Sequence, residues 1–207
     1  MFTLKKLEVG PWPSHSYVVI DEGSKEAYII DAGADPEKIA AAVEGYTVKK
    51  LLLTHGHGDH VGAVEQVKQA LGVVSGMSAA DQAHFKYEAD FVIENGKEFP
   101  LGDGEIRAVV SPGHTPGLVL FELLDGSSPL RLVVGDAVFS GGPGKTWAAE
   151  DLQTSLKNLT KNVFSKPDDT EIHPGHGPST TVGAERAGFE TLAAKPFDPQ
   201  LFGDVSW

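Results

Sequence analysis

Hydrophobic and polar positions along the chain follow two periods, and these predict strands and helices in alternation. Short apolar runs typical of β-strands cover residues 2–9, 16–21, 27–31, 49–54, 106–111, 118–123 and 130–134. Helical spacing predicts helices at 34–43, 61–71 and 150–164, and a last helix within 182–194. Strands and helices intermix in both halves, so we expect one α/β domain over residues 1–207.

The helix predictions depend on two kinds of signal. Asp35 is placed to cap the helix at 34–43, and Pro36 follows at the first helical position, where proline is tolerated. In the other two helices the apolar residues recur every three or four positions, which predicts one buried side; they are Val61, Val64, Val67 and Leu71, then Leu152, Leu156, Leu159 and Val163.

One strand ends in an unusual cluster of polar residues. The stretch "LLLTHGHGDHVGAV" (51–64) places His55, His57, Asp59 and His60 directly after a leucine run. Titratable side chains at the end of a buried strand need partners, because burial without them costs free energy. One or two multivalent cations would satisfy all four side chains together.

Three further strands run into Gly- or Pro-rich turns that carry His or Asp. These turns are "VVSPGHTPG", "LVVGDAVF" and "TEIHPGHGP", and the residues they add are His114, Asp136 and His176. Glycine beside each of these residues lets the backbone approach a bound ion closely. His and carboxylate ligands suit zinc, iron or manganese. Seven ligands are too many for one tetrahedral ion and about right for two.

The remaining histidines have simpler interpretations. We expect His15 and His84 to be solvated side chains in turns. His173 lies close to the fourth turn, and we expect it to pack or to support His176 rather than to bind metal.

Composition narrows the classes of function. The chain has no Cys, so any metal site must use His and carboxylates, and its net charge of −12 opposes binding to a phosphate backbone. It has neither an apolar run near 18 residues nor a hydrophobic signal region in "MFTLKKLEVG". We expect a soluble cytoplasmic protein, a monomer or small homo-oligomer, that acts on a small molecule rather than on a nucleic acid or a membrane.

The motif His55-x-His57-x-Asp59-His60, followed by His114, Asp136 and His176, resembles the metallo-β-lactamase superfamily over residues 16 to about 185. The resemblance implies an αβ/βα sandwich, in which two mixed β-sheets face each other with helices on the outer faces. It further implies a first ion on His55, His57 and His114, a second ion on Asp59, His60 and His176, Asp136 as the bridge, and Asp31 close behind the site.

Such a site would make the protein a dinuclear metallohydrolase, with zinc as the expected metal and iron or manganese as alternatives. Two ions roughly 3.5–4 Å apart would share a water, lower its pKa and stabilise an oxyanion. Asp59 would orient that nucleophile or take its proton.

The stretch "GDAVFSGGPGKTW" resembles the glyoxalase II branch, the hydroxyacylglutathione hydrolases. Gly142, Gly144, Lys145 and Trp147 match the segment that grips the thiol carrier in that branch. The sequence departs from the branch after its last ligand, where "GFETLAAKPFDPQLFGDVSW" has few basic residues, and we expect no counterpart of the C-terminal helical region that binds glutathione in that branch. The resemblance therefore implies hydrolysis of a small thioester or ester, with Lys145 and Trp147 binding the substrate.

Three alternatives remain open. Persulfide dioxygenases resemble glyoxalase II but bind one iron through two histidines and an aspartate, which match His55, His114 and Asp136. Lactonases of this superfamily usually carry a tyrosine where this chain has Phe139. A catalytically silent metal-binding module would also retain every ligand.

Overall fold

The computed structural model describes residues 1–127 and 129–207 as fourteen strands and six helices. The strands are β1 (Thr3–Val9), β2 (Ser14–Asp21), β3 (Glu26–Ile30), β4 (Thr47–Leu52), β5 (Ser75–Met77), β6 (Phe91–Val92), β7 (Glu98–Leu101), β8 (Gly104–Val110), β9 (Val119–Leu124), β10 (Arg131–Gly135), β11 (Val138–Phe139), β12 (Gly142–Pro143), β13 (Glu171–Pro174) and β14 (Thr180–Thr181). The helices are α1 (Pro36–Ala42), α2 (Gly58–Val61), α3 (Val64–Leu71), α4 (Ala79–Phe85), α5 (Ala149–Asn162) and α6 (Val182–Ala193).

The larger strands form two mixed sheets. The first sheet has the order β1-β2-β3-β4-β5-β6; β1, β2 and β3 pair antiparallel, and β3 to β6 pair in parallel. The second sheet has the order β14-β13-β10-β9-β8-β7, and β10 and β13 are its parallel pair. Strands β11 and β12 form a small separate hairpin.

Three apolar layers hold the two sheets and the helices together. Tyr17 and Val19 of β2 face the second sheet and pack with Phe121 in the central layer. The alternate residues Val18 and Ile20 face the opposite way, as the two-residue period of a strand requires. This arrangement confirms the αβ/βα sandwich implied by the sequence.

Helices cover both outer faces. Ile39 of α1 and Val67 of α3 pack on the first sheet, and α5 and α6 pack on the second sheet. The side of α5 predicted to be buried does face that sheet, through Leu152, Leu156 and Leu159. Among the described residues, no helix has both the length and the hydropathy needed to cross a membrane.

The predicted helix at 61–71 is divided in two. An uninterrupted helix would need the Ala63 N–H to reach the Asp59 carbonyl. Instead, the Ala63 N–H donates to the Ala32 carbonyl at 2.9 Å, and the Asp59 carbonyl accepts from Ser14 Oγ at 2.7 Å. These contacts tie the start of the helical segment to the first sheet, so α2 ends at Val61 and α3 begins at Val64.

The start of α1 agrees with the sequence in part. Pro36 occupies the first helical position, as predicted. The prediction that Asp35 caps the helix is wrong: its backbone is left-handed, with φ of 51°, and its side chain makes no cap. Asp35 Oδ2 instead accepts from the Gly10 N–H at 2.9 Å and so joins α1 to the turn after β1.

Candidate metal centre

The candidate site lies where strands of both sheets end. His55 follows β4 and Asp31 follows β3, its parallel neighbour, whereas Asp136 and His176 follow the parallel pair β10 and β13. Because parallel strands end at the same edge of a sheet, each pair of residues emerges on one side. His114 enters from the loop between β8 and β9.

The structure brings all seven predicted ligand residues together. They form three overlapping groups that could hold a metal ion, with the ligand atoms of each group within 4.8 Å of one another. We call His55, His57 and His114 the first group and Asp59, His60 and His176 the second group; the third group contains His55, His60 and Asp136.

Among the described residues, three buried atoms in this cluster make no hydrogen bond: His55 Nε2, His60 Nε2 and Asp136 Oδ1. The last two lie 3.3 Å apart as an ion pair without hydrogen-bond geometry. A buried polar atom without a partner costs free energy, and native structures leave few of them. Two imidazole nitrogens and a carboxylate oxygen are also suitable ligands for a divalent ion. The residues therefore fit the metal that the sequence predicts.

Burial dominates the surroundings of the first group, although Asp136 lies nearby. His57 Nδ1 and His114 Nε2 lie 3.0 Å apart, and His114 Nδ1 donates to the Lys145 carbonyl at 2.9 Å. Burial lowers the pKa of His114 and of His57, and burial with the neighbouring His60 lowers the pKa of His55 well below its usual range. These imidazoles are therefore neutral at neutral pH.

The second group is paired with carboxylates. His176 Nε2 lies 3.0 Å from Asp59 Oδ2, and this hydrogen bond raises the pKa of His176 and lowers the pKa of Asp59 to about 2. Burial opposes protonation of His60, but the Asp31 and Asp136 carboxylates outweigh it and raise the pKa of His60 well above its usual range.

Asp136 lies between the two groups. Its Oδ1 is 3.3 Å from His60 Nε2, and its Oδ2 is 3.6 Å from His114 Nε2 and 3.7 Å from His176 Nε2. A glycine at 175 is required here, because a Cβ on Gly175 would lie 2.1 Å from Asp136 Oδ1. Asp136 therefore faces both groups: its Oδ2 lies against His114 of the first group and His176 of the second, and its Oδ1 against His60 of the second.

Asp31 lies directly behind the site. Its Oδ2 accepts from His60 Nδ1 at 2.8 Å and from Thr54 Oγ1 at 2.7 Å, and its Oδ1 accepts from the Thr54 N–H at 2.8 Å. Thr54 Oγ1 in turn lies 3.0 Å from His55 Nδ1. These contacts hold both rings by Nδ1 and leave each Nε2 aimed into the site.

Sequence comparison connects this geometry to known proteins. The family model described as "Metallo-beta-lactamase superfamily" matches residues 9–176, from the end of β1 to the last residue of the second group. The chain belongs to the metallo-beta-lactamase superfamily.

Relatives within the superfamily include hydrolases. Hydroxyacylglutathione hydrolase GloC of Haemophilus influenzae is 32% identical over 202 residues, which cover 86% of this chain and 92% of that protein. The probable polyketide biosynthesis zinc-dependent hydrolase BaeB of Bacillus velezensis is 30% identical, over 80% of this chain and 73% of BaeB. The crystal structure of TTHA1623 in a di-iron-bound form has a TM-score of 0.70 and 29% identity, and covers 88% of this chain and 96% of that chain.

Asp81 also supports the site, although the sequence did not predict it. Its buried carboxylate accepts from the Gly56 N–H at 3.2 Å, Thr115 Oγ1 at 2.8 Å and the Gly117 N–H at 2.6 Å. Burial raises its pKa despite these hydrogen bonds. Asp81 thus connects the loop of His55 and His57 to the loop of His114. The one sequence signal was the pattern Ser78-x-x-Asp81, which marks the start of α4, where Ser78 Oγ caps the Asp81 N–H.

Lys145 and Trp147 both lie at the site entrance. The Trp147 ring centroid is 5.5 Å from that of His57 and 5.4 Å from that of His114, and the indole is half exposed. The exposed ammonium of Lys145 lies 3.3 Å from Asp204 Oδ2. The Lys145 carbonyl, which sequence reasoning did not consider, holds His114.

The end of the chain contributes to this entrance. Thr146 and Gly203 exchange two backbone hydrogen bonds, of 3.2 and 2.9 Å. Trp207 Nε1 donates to Glu185 Oε2 at 2.9 Å and fixes the last residue on α6. These contacts place Asp204 beside the candidate metal centre.

The other histidines differ in their environments. The prediction that His15 is solvated is wrong: it lies buried in β2, and its Nδ1 donates to the Pro174 carbonyl at 2.8 Å. His84 is exposed, as predicted. His173 packs against Tyr17, with 6.0 Å between ring centroids, and contacts Ser179 and Glu171, in agreement with a packing role.

Proposed function

We propose that this superfamily member is a hydrolase of small thioesters or esters that uses two divalent metal ions, with zinc as the expected metal. The main support for the proposal is that three buried ligand atoms, on His55, His60 and Asp136, make no hydrogen bond within the overlapping groups. The hydrolase relatives and the di-iron form of TTHA1623 support it.

In this proposal the first group would hold one ion and the second group the other, and Asp136, which lies between the groups, would be available as a ligand to both. Bound divalent ions would supply Lewis acidity and lower the pKa of water at the site. The chain itself fixes the orientation of each ring, through Asp31 behind His60, the Lys145 carbonyl behind His114 and the Pro13 carbonyl behind His176.

In this proposal Asp59 would be a ligand of the second ion and would orient the attacking water or take its proton. In the metal-free protein His176 donates to Asp59 Oδ2 and lowers the pKa of Asp59 to about 2, so the side chain is already a carboxylate before metal binds. The side chain is about a third exposed, so water reaches it.

The proposed substrate class is supported by the residues at the entrance to the candidate metal centre. We place the thiol half of a thioester beside Lys145 and Trp147, where an ammonium and a flat apolar ring lie at the edge of the first group. The name of the Haemophilus influenzae relative agrees with a thioester substrate.

Metal content and turnover, measured together, test the proposal. Protein purified without added metal is analysed for elements and is then assayed with lactoyl-glutathione, simple acyl thioesters, lactones, a cephalosporin and glutathione persulfide. We expect about two ions per chain and thioester hydrolysis.

Two variants test which residues hold the metal. His57→Ala should lose about one ion, because three imidazoles become two, whereas the exposed control His84→Ala should keep both.

The same measurements would identify each of the three alternative functions by a different result. One iron per chain with oxygen-dependent turnover of the persulfide would replace the hydrolase by a dioxygenase. A lactone hydrolysed far faster than every thioester would change the substrate class. Full metal content without any turnover would indicate a silent metal-binding module.

A further inference from the structure

Two cavities border the first group of the candidate metal centre, and a third, of about 560 Å³, borders Asp59 and His176 of the second group. The first has a volume of about 490 Å³ and the second about 470 Å³. Both are bordered by His57, His114 and Trp147, so a ligand held at these histidines can extend into either cavity.

The two cavities differ in chemistry. The first, which we call the apolar cavity, has Phe85, Pro112, Pro116 and Trp147 in its wall. The second, which we call the polar cavity, also has apolar residues in its wall, Phe139, Pro143 and Val205, but it adds the charged Asp59, Asp136, Lys145 and Asp204. An apolar wall favours a hydrocarbon group, because burial removes apolar surface from water.

We propose that the apolar cavity receives the acyl chain of the substrate, so that the preferred substrates are thioesters of apolar, medium-length acids rather than of small hydroxy acids. This inference rests on the proposed thioesterase function. The thiol half lies on the Lys145 side, in the polar cavity, so the acyl half of a thioester held at His57 and His114 extends into the other one.

The rim of the apolar cavity limits the far end of that chain. Asp151 and Thr154, both on α5, and the exposed His84 lie around it. The Asp151 carboxylate would repel a second carboxylate at the end of the acyl chain. Dicarboxylic acyl groups such as glutaryl are therefore expected to be poor substrates.

A chain-length series tests the inference on the unmodified, metal-loaded protein. The probes are acetyl, butyryl, hexanoyl, octanoyl and glutaryl thioesters of one small neutral thiol. We expect kcat/KM to rise about three- to fourfold with each added methylene until the cavity is filled, and glutaryl to fall well below hexanoyl. A profile independent of chain length would overturn the inference. Such a profile would leave the thioesterase proposal standing, whereas failure to hydrolyse any thioester would reject that proposal.

Two tryptophan substitutions on the same helix locate the effect. Thr154 borders the cavity, and Thr160 is not among the residues that line it; each hydroxyl donates to the carbonyl four residues earlier at 2.8 Å. Thr154→Trp should lower the octanoyl-to-acetyl ratio of kcat/KM by about tenfold or more, and Thr160→Trp should not change it. Equal ratios in the two variants would contradict the assignment.

Binding gives a measurement that does not depend on turnover. By calorimetry on the metal-free protein, octanoate should bind more tightly than acetate, and Thr154→Trp should remove the difference. Equal affinity for the two acids in the metal-free protein would also count against the apolar cavity as the acyl site.

Discussion

The first and second groups are built from similar ligands but differ in their charge. His55, His57 and His114 have lowered pKa values because burial dominates their surroundings. His60 and His176 have raised pKa values because Asp31, Asp136 and Asp59 lie against them. In the metal-free protein the imidazoles of the first group are therefore shifted toward the neutral form, and those of His60 and His176 toward the protonated form.

This difference affects how the two groups would bind metal. A histidine must be deprotonated to bind an ion, so binding at a protonated site releases protons. The first group is already in the required state, and the second has to lose protons first. We expect the first group to fill before the second as metal is added at neutral pH.

The largest effect is expected from Asp136→Asn, because Asp136 lies between the two groups and its loss should affect both ions. Asp136→Asn deletes the charge that faces His60, His114 and His176. Both ions should be weakened, and activity should fall by about a thousandfold or more. Asp59→Asn, which alters the second group alone, should spare the first ion. Elemental analysis and kcat would show this, and retention of both ions with normal hydrolysis in Asp136→Asn would refute the bridging role.

Acid pH should separate the two groups. As the pH falls through the raised pKa values of His60 and His176, protons compete with the second ion, and its affinity should drop about tenfold per pH unit for each proton displaced. The first ion should respond only at lower pH, because its ligands have lowered pKa values. Calorimetric titrations at pH 8 and pH 6, in two buffers of different ionisation enthalpy, would measure affinity and proton release. Equal pH dependence of both ions would contradict the assigned charges.

Two buried carboxylates support the groups to different degrees. Asp31 holds His60 of the second group directly and reaches His55 of the first group only through Thr54, whereas Asp81 holds the loops of the first group. Asp31→Asn should weaken mainly the second ion, about 10- to 100-fold, and Asp81→Asn should weaken mainly the first, by about tenfold.

A third aspartate provides an exposed control for this pair. Asp90 accepts from the Ser75 N–H and from Ser75 Oγ and pairs with Lys68 at 2.8 Å, so Asp90→Asn removes a carboxylate with several partners away from the site. It should leave both ions in place. If Asp31→Asn and Asp81→Asn weakened mainly the same ion, or if Asp90→Asn weakened either ion, the separate supports would be refuted.

The sequence predicted the parts of the site that lie close to strand ends. His55 and Asp136 were predictable because a strand with a clear apolar run precedes a glycine-rich turn, and His176 because it lies in the similar turn "HPGHGP". The two facing sheets were implied by the resemblance to the superfamily, and the all-apolar run at 17–20 agrees with burial of both faces of β2.

The residues that the sequence did not predict act through contacts between distant segments. Asp81 meets Thr115 across 34 positions, and the Lys145 carbonyl meets His114 across 31. The burial of His15 depends on a carbonyl 159 positions away. Local patterns carry no information about such pairings, which only the packing of the sandwich determines.

The smallest expected effect concerns the polar cavity, where Lys145 and Asp204 form an exposed ion pair. Exposed pairs of this kind contribute little, because solvent screens them. Lys145→Ala should raise KM for lactoyl-glutathione about two- to fivefold with little change in kcat, since the ammonium is remote from the reacting carbon.

Asp204→Asn should act in the opposite direction. It leaves the Lys145 ammonium without its carboxylate neighbour, so KM for the anionic glutathione thioester should fall about twofold, whereas a thioester of a neutral thiol should not respond. The control is Asp198→Asn, which removes one carboxylate from the same exposed C-terminal segment, outside the residues that border the polar cavity. Because screening weakens both effects, they should shrink as salt is raised. If Asp204→Asn changed KM equally for charged and neutral thiols, its effect would come from the fold of the C-terminal segment and not from charge at the entrance.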